Sequence, residues 1–173
     1  INFKNLYADP VVVAYILSRN EGESLDVRID NVTSTSCQIF MEEPPDGAVT
    51  YTTGHPTETV AYIVVEAGEW KLDDGTEIKA GTISTDKYYK KSTSDTWETI
   101  SFSSAFSTSN PVILHSLNTY NNGEWTTTAV KNVGTSSFDI TQELAEASGT
   151  ITTETIGWIA IESGKTGIIN DIK

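Results

Sequence analysis

Apolar and polar positions alternate along most of the chain, in short runs rich in Val, Ile, Thr and aromatic side chains, and stripes at helical spacing are missing. The pattern predicts an all-β protein. Strands are expected over residues 1–7, 11–18, 25–31, 36–42 and 59–66, and again over 96–102, 112–119, 126–132, 137–143 and 155–162. Short strands at this spacing, with turn residues between them, argue for antiparallel β-sandwiches. Asn20-Glu21-Gly22 and Asn121-Asn122-Gly123 supply residues that accept positive φ, so the chain is expected to bend back there as a hairpin. Asp73-Asp74-Gly75-Thr76, between Lys71-Leu72 and Glu77-Ile78, predicts a further hairpin.

The two sets of strands read as one pattern written twice. PVVVAYILSRNEGESLDVRIDNV from Pro10 returns as PVILHSLNTYNNGEWTTTAVKNV from Pro111, and an offset of 101 pairs Asn20 with Asn121, Gly22 with Gly123 and Asn31 with Asn132. ETVAYIVVEAG from Glu58 likewise falls on ETIGWIAIESG from Glu154. The intervening stretch, 43–57, differs in length between the copies and carries Pro44, Pro45, Gly47, Gly54 and Pro56, as a loop would. Such self-similarity predicts two modules, residues 1–68 and 69–173.

The hairpin and the strand after it, to Asp86, precede the second copy and have no counterpart ahead of the first. The first module is therefore expected to lack its front strand, which either a neighbour or residues 164–173 would supply. An uncovered sheet edge of this kind favours assembly into a homo-oligomer or a larger structure.

Composition narrows the function classes. With 38% apolar and 20% charged residues, a chain of 173 residues can build a core. Its longest apolar run, Val11 to Leu17, is strand length and far below the ~20 residues of a membrane helix, so no membrane insertion is expected. The chain opens on Ile without a charged leader, which suggests a processing site or a fragment boundary. A net charge of −13 would repel a phosphate backbone, which argues against nucleic acid as a partner. The single cysteine, Cys37, excludes an internal disulfide, and its alignment with Phe138 predicts a buried apolar position.

Catalytic signatures are missing from the sequence. His55 and His115 are isolated, and there is no G-x-S-x-G elbow, phosphate-cradling glycine loop or H-E-x-x-H. Glu42 with Glu58, or Glu143 with Glu154, offers paired carboxylates of the glycosidase kind. Both pairs occur in both copies, however, and duplicated positions more often hold up a fold. The expectation is a protein that is not an enzyme, with no cofactor and no metal.

Aromatic and amide residues near loops are a different signal: Tyr51 and His55 in the first copy, Tyr88, Tyr89, Tyr120, Asn121 and Trp125 in the second. Flat rings flanked by amides suit sugars, which offer C–H faces and hydroxyls together. Trp97 and Trp158, each among strand residues, are expected in the core.

W-x-x-I-x-F from Trp97, N-P-V-I-L from Asn110, K-N-V-x-x-x-x-F from Lys131 and G-W-I-A-I-E from Gly157 together resemble the H-type lectin domain. The resemblance implies six-stranded antiparallel sandwiches, trimeric in the animal agglutinins, that bind N-acetylgalactosamine or galactose at subunit edges without a metal. Arg28 matches the family's sugar-binding arginine, and Tyr51 and His55 lie in its aromatic loop. The second copy has Ala129 in the arginine position. A composite site would join Arg28 and His55 to the loop 86–94 of a neighbouring module. The expected partner is a glycan or cell-surface polysaccharide, and the expected place is the exterior of a cell or virion. The alternative is a structural or decoration subunit that assembles through sheet edges.

Overall fold

The fold was obtained as a computed structural model, which describes residues 1–20, 22, 24–44, 56–90, 95–107, 109–123, 125–144 and 151–164. It is all-β. In chain order the strands are β1 (Pro10–Ile16), β2 (Asp26–Asp30), β3 (Gln38–Glu42), β4 (Val60–Glu66), β5 (Gly68–Lys71), β6 (Glu77–Thr85), β7 (Tyr88–Tyr89), β8 (Glu98–Ser101), β9 (Val112–Leu117), β10 (Thr127–Lys131), β11 (Ser137–Glu143) and β12 (Glu154–Ile161).

β1 pairs with β4 and β2 with β3, both antiparallel. The second half forms a four-stranded sheet in the order β5-β6-β12-β9, and another in which β11 is flanked by β10 and β8 and takes β7 in parallel.

Matched residues make matched bonds. The Phe3 N–H donates to the Thr35 carbonyl at 2.7 Å, and the Phe102 N–H to that of Ser136 at 2.9 Å. Asn31 and Asn132 turn β2 into β3 and β10 into β11 with φ of 50° and 51°, the left-handed region that asparagine tolerates best after glycine. β1 meets β4 as β9 meets β12: Val11 lies opposite Val65, and Val112 opposite Ile161.

Strand alternation sorts the side chains into three cores. Val12, Ala14, Val27, Ile29 and Cys37 cluster between the β1–β4 and β2–β3 pairs. Leu117, Phe138, Ile140 and Ile156 cluster in the second half, with Trp158 and Phe102 packed against them. The other face of β1 contributes Val11 and Val13 to a third cluster with Ala80 and Ile159, which joins the halves. β1 is thus buried on both sides, which is why its sequence is a continuous apolar run.

Two expectations are corrected. Residues 1–7 form no strand, only an isolated bridge between Asn2 and Ser36. Asn20 and Asn121 do not open hairpins: β1 and β2, like β9 and β10, lie in different sheets, so the chain crosses between sheets at these points. The hairpin at 73–76 does form, joining β5 to β6 with Gly75 at φ 83°. β12 has a strand on each edge, whereas β4 has only β1 among the described residues. Residues 165–173, one expected source of a covering strand, lie outside the described residues.

Candidate functional site

Glu154, wholly buried at the start of β12, gathers the chain that leaves β9. Its Oε1 accepts the N–H of Asn121 at 2.8 Å, the N–H of Asn122 at 2.7 Å and the Asn122 side-chain amide at 3.0 Å, while Oε2 accepts the Thr119 hydroxyl. The Asn121 amide donates to the Thr153 carbonyl at 2.9 Å, and the Thr155 N–H donates to Thr119 Oγ1 at 2.8 Å.

Glu58 repeats the arrangement in the first half. Its Oε1 accepts the Asn20 N–H at 2.7 Å, its Oε2 accepts the Ser18 hydroxyl, and the Asn20 amide donates to the Thr57 carbonyl at 2.6 Å. Carboxylate oxygens engaged this fully are poorly placed to take a proton from a substrate.

Arg28 reaches this knot from β2 and is itself wholly buried. Nη1 donates to Glu42 Oε2 at 2.6 Å, and Nη2 lies 3.6 Å from Glu154 Oε1. The guanidinium sits over the Tyr120 ring, 4.6 Å from its centre, a cation–π contact. Tyr120 packs edge-on against Phe40 at 5.0 Å and donates its hydroxyl to Glu42 at 3.3 Å. Arg28 therefore ties β2 to the Glu154 knot.

Of the expected binding residues, Arg28, Tyr120 and Asn121 come together here. Arg28 is enclosed, with Nη1 bonded to Glu42 and its Nε and Nη2 without a hydrogen-bond partner among the described residues; the Asn121 N–H is committed to Glu154, and Tyr120, 40% exposed, is the one that offers a ring to solvent. Trp125 is half-buried, with its Nε1 enclosed and without a hydrogen-bond partner among the described residues. Tyr51 and His55 lie outside the described residues.

Tyr88 and Tyr89 lie apart, on β7. Tyr89, 41% exposed, stands 6.4 Å from the Trp97 ring, which in turn carries the Lys131 ammonium 4.0 Å above its centre. Trp97 was expected in the core; it falls just ahead of β8, at the rim of the sheet, and is half-buried. Its Nε1 donates to Asp95 Oδ2 at 2.6 Å, and that bond, with help from Lys131, holds the Asp95 carboxyl below its usual range. Two aromatic rings and an ion pair, Lys131 Nζ to Asp95 Oδ2 at 3.2 Å, thus stand together at one rim.

The joint between the halves depends on residues that the sequence did not single out. Asn118 accepts the Val12 N–H at 3.2 Å and donates to the Val12 carbonyl at 2.7 Å. Ser116 Oγ accepts the Ala14 N–H at 3.1 Å and donates to the Ala14 carbonyl at 3.3 Å. Side chains thereby satisfy the open edge of β1 where a strand would otherwise have to lie. The available signal was Gly157, beside which the Asn118 side chain rests.

A hollow of about 350 Å³ at this joint is lined by Asp9, Asp30, Asn31, Thr82 and Thr119, among others. A smaller one, about 80 Å³, lies against Tyr15, Asp26, His115 and Thr128. His115 Nδ1 and Thr128 Oγ1 are 2.6 Å apart, and burial pushes the imidazole toward its neutral form. Among the described residues no group of three or more His, Cys, Asp or Glu is placed to hold a metal ion, and no helix is long and apolar enough to cross a membrane.

No family model and no solved structure matches the chain. Among curated proteins it is similar to halomucin of Haloquadratum walsbyi, with 34% identity over 169 residues that take in 91% of this chain. The chain spans about 2% of the length of that relative.

Proposed function

We propose that the chain is a non-catalytic module of a protein on the outside of a cell, built of two β-sandwich repeats whose polar residues hold loops in place. The observation that carries this reading is the pair of glutamates, Glu58 and Glu154, each occupied by the same kinds of donor at matched positions. The similarity to halomucin is compatible with a cell-surface role. An antibody against residues 1–173 is expected to label intact, unpermeabilised cells of the organism that makes the protein; labelling only after permeabilisation would sink the reading.

The Tyr89–Trp97 rim favours a second task for the same module, adhesion to a glycan, as the H-type lectin resemblance implies. On this reading the sugar lies on Tyr89 and Trp97, beside the Asp95–Lys131 ion pair, and the buried Arg28 is not a contact. Binding on a glycan array is expected to disappear in Tyr89→Ala and Trp97→Ala and to survive in Tyr120→Ala. An empty array would leave a purely structural module.

A further inference from the structure

β4 and β12 occupy matched places, and only β12 is flanked on both edges. β12 runs beside β6 through a continuous register, from Glu154 opposite Thr85 to Ile161 opposite Ile78. The same edge of β4 has no strand partner among the described residues. The difference shows in the side chains: Ile159 is 1% exposed, and Ile63, its counterpart, is 47% exposed. Tyr62, the counterpart of Trp158, is 44% exposed.

The direction of the backbone groups follows from the bonds at the two ends of the β1–β4 pair. The Leu17 N–H donates to the Thr59 carbonyl and the Ala67 N–H to the Asp9 carbonyl, so odd-numbered residues of β4 face β1. The N–H groups of Tyr62 and Val64 and their carbonyls therefore point away from β1, and of these the Val64 carbonyl accepts the Tyr7 hydroxyl at 3.4 Å, a bond that an incoming strand must displace.

We propose that this edge accepts a β-strand of the β6 type, belonging to another β5–β6-like hairpin outside these residues. The β12–β6 contact is the template for what fits. Trp158 lies across Gly81, where a Cβ would come within 2.8 Å of the indole Cζ2, and Ile159 lies opposite Ala80. An incoming strand must likewise place glycine opposite Tyr62 and a small residue opposite Ile63. The β6 of a second copy does not qualify, because it is already held between β5 and β12. A second β4 does not qualify either, since it brings Tyr and Ile where small residues are needed. The inference goes beyond the surface-module reading and is independent of glycan binding.

The test uses the 173-residue chain and a labelled synthetic peptide with the sequence of Glu77–Thr85, followed by fluorescence anisotropy and amide hydrogen exchange. Saturable binding is expected, with slowed exchange at Tyr62 and Val64 and no change at Ile63 and Val65, whose amides already face β1. A peptide carrying Gly81→Val is expected to bind at least about tenfold more weakly, because overpacking against the ring is costly. Absence of binding overturns the proposal, as does equal binding of the valine peptide. A stable dimer of the chain that protects Tyr62 and Val64 without peptide would also overturn it, by showing a second copy on the edge.

Discussion

A Cβ on Gly157 would sit 2.6 Å from Asn118 Oδ1, so any side chain there displaces the amide that holds Val12. Gly157→Ala is expected to lower stability by about 2–3 kcal/mol, as overpacking and two lost buried hydrogen bonds combine, measured by urea unfolding. Arg28→Ala removes a cation lodged between Glu42 and Glu154 and should destabilise by about 3 kcal/mol. If the variant lost glycan binding while keeping wild-type stability, the structural role of Arg28 would be refuted. His115 adds a pH dependence. Burial depresses its pKa, against an opposing pull from Asp26, so the unfolded chain takes up a proton that the folded chain refuses. Its contribution is complete above about pH 6.5, the ordinary histidine value, and is lost as pH falls through the folded value. His115→Asn should flatten that part of the stability–pH curve. At this scale sequence reasoning succeeded where burial follows from apolarity, as at Cys37, which is 3% exposed with its thiol pKa raised by burial. The burial of Arg28 was not legible, because a buried cation depends on carboxylates distant in the chain, and no local pattern announces them.

At the scale of elements, strands with apolar alternation were legible and their neighbours were not. Residues 11–18 and 112–119 were placed to within a few positions of β1 and β9, since β-branched runs leave little choice. Residues 1–7 predict a strand by the match of Ile1-Asn2-Phe3 to Ile100-Ser101-Phe102, yet apart from the Asn2–Ser36 bridge the segment joins no ladder. The asparagine turns were misread for a physical reason. A residue type common in turns also donates well: here the Asn20 and Asn121 amides donate to the Thr57 and Thr153 carbonyls and their backbone N–H groups to Glu58 and Glu154, and these bonds decided the geometry. The edge of β1 invites a direct check. With Asn118→Ala and Ser116→Ala together, the Val12 and Ala14 amides lose their acceptors, and their hydrogen exchange should accelerate well beyond that of Val11 and Val13, which face β4.

For the molecule as a whole, a net charge of −13 sets up self-repulsion that salt screens. The melting temperature should therefore rise as salt is raised from about 0.05 M to 1 M, where the Debye length shrinks to ~3 Å. A melting temperature that falls would show that the exposed ion pairs outweigh the repulsion. Acid acts in the opposite direction. Asp139 is held below its usual range first by the Asn132 amide and then by Thr99, and Glu69 first by the Ser103 hydroxyl. Their contributions are present above the ordinary carboxylate values, about 4, and are lost as pH falls through the depressed folded ones.

Among the described residues the joint between the halves rests on a few side chains, Asn118, Ser116 and Tyr15, together with the Arg28 tie and one apolar cluster, whereas β12 is laced to β6 along its whole length. Under a pulling force applied at the ends of the chain, resistance is therefore graded. The halves should come apart first, at low load and with a small gain in length, and only then should the sheets of the second half rip. A chain of such units would yield in stages, absorbing a tug before it snaps.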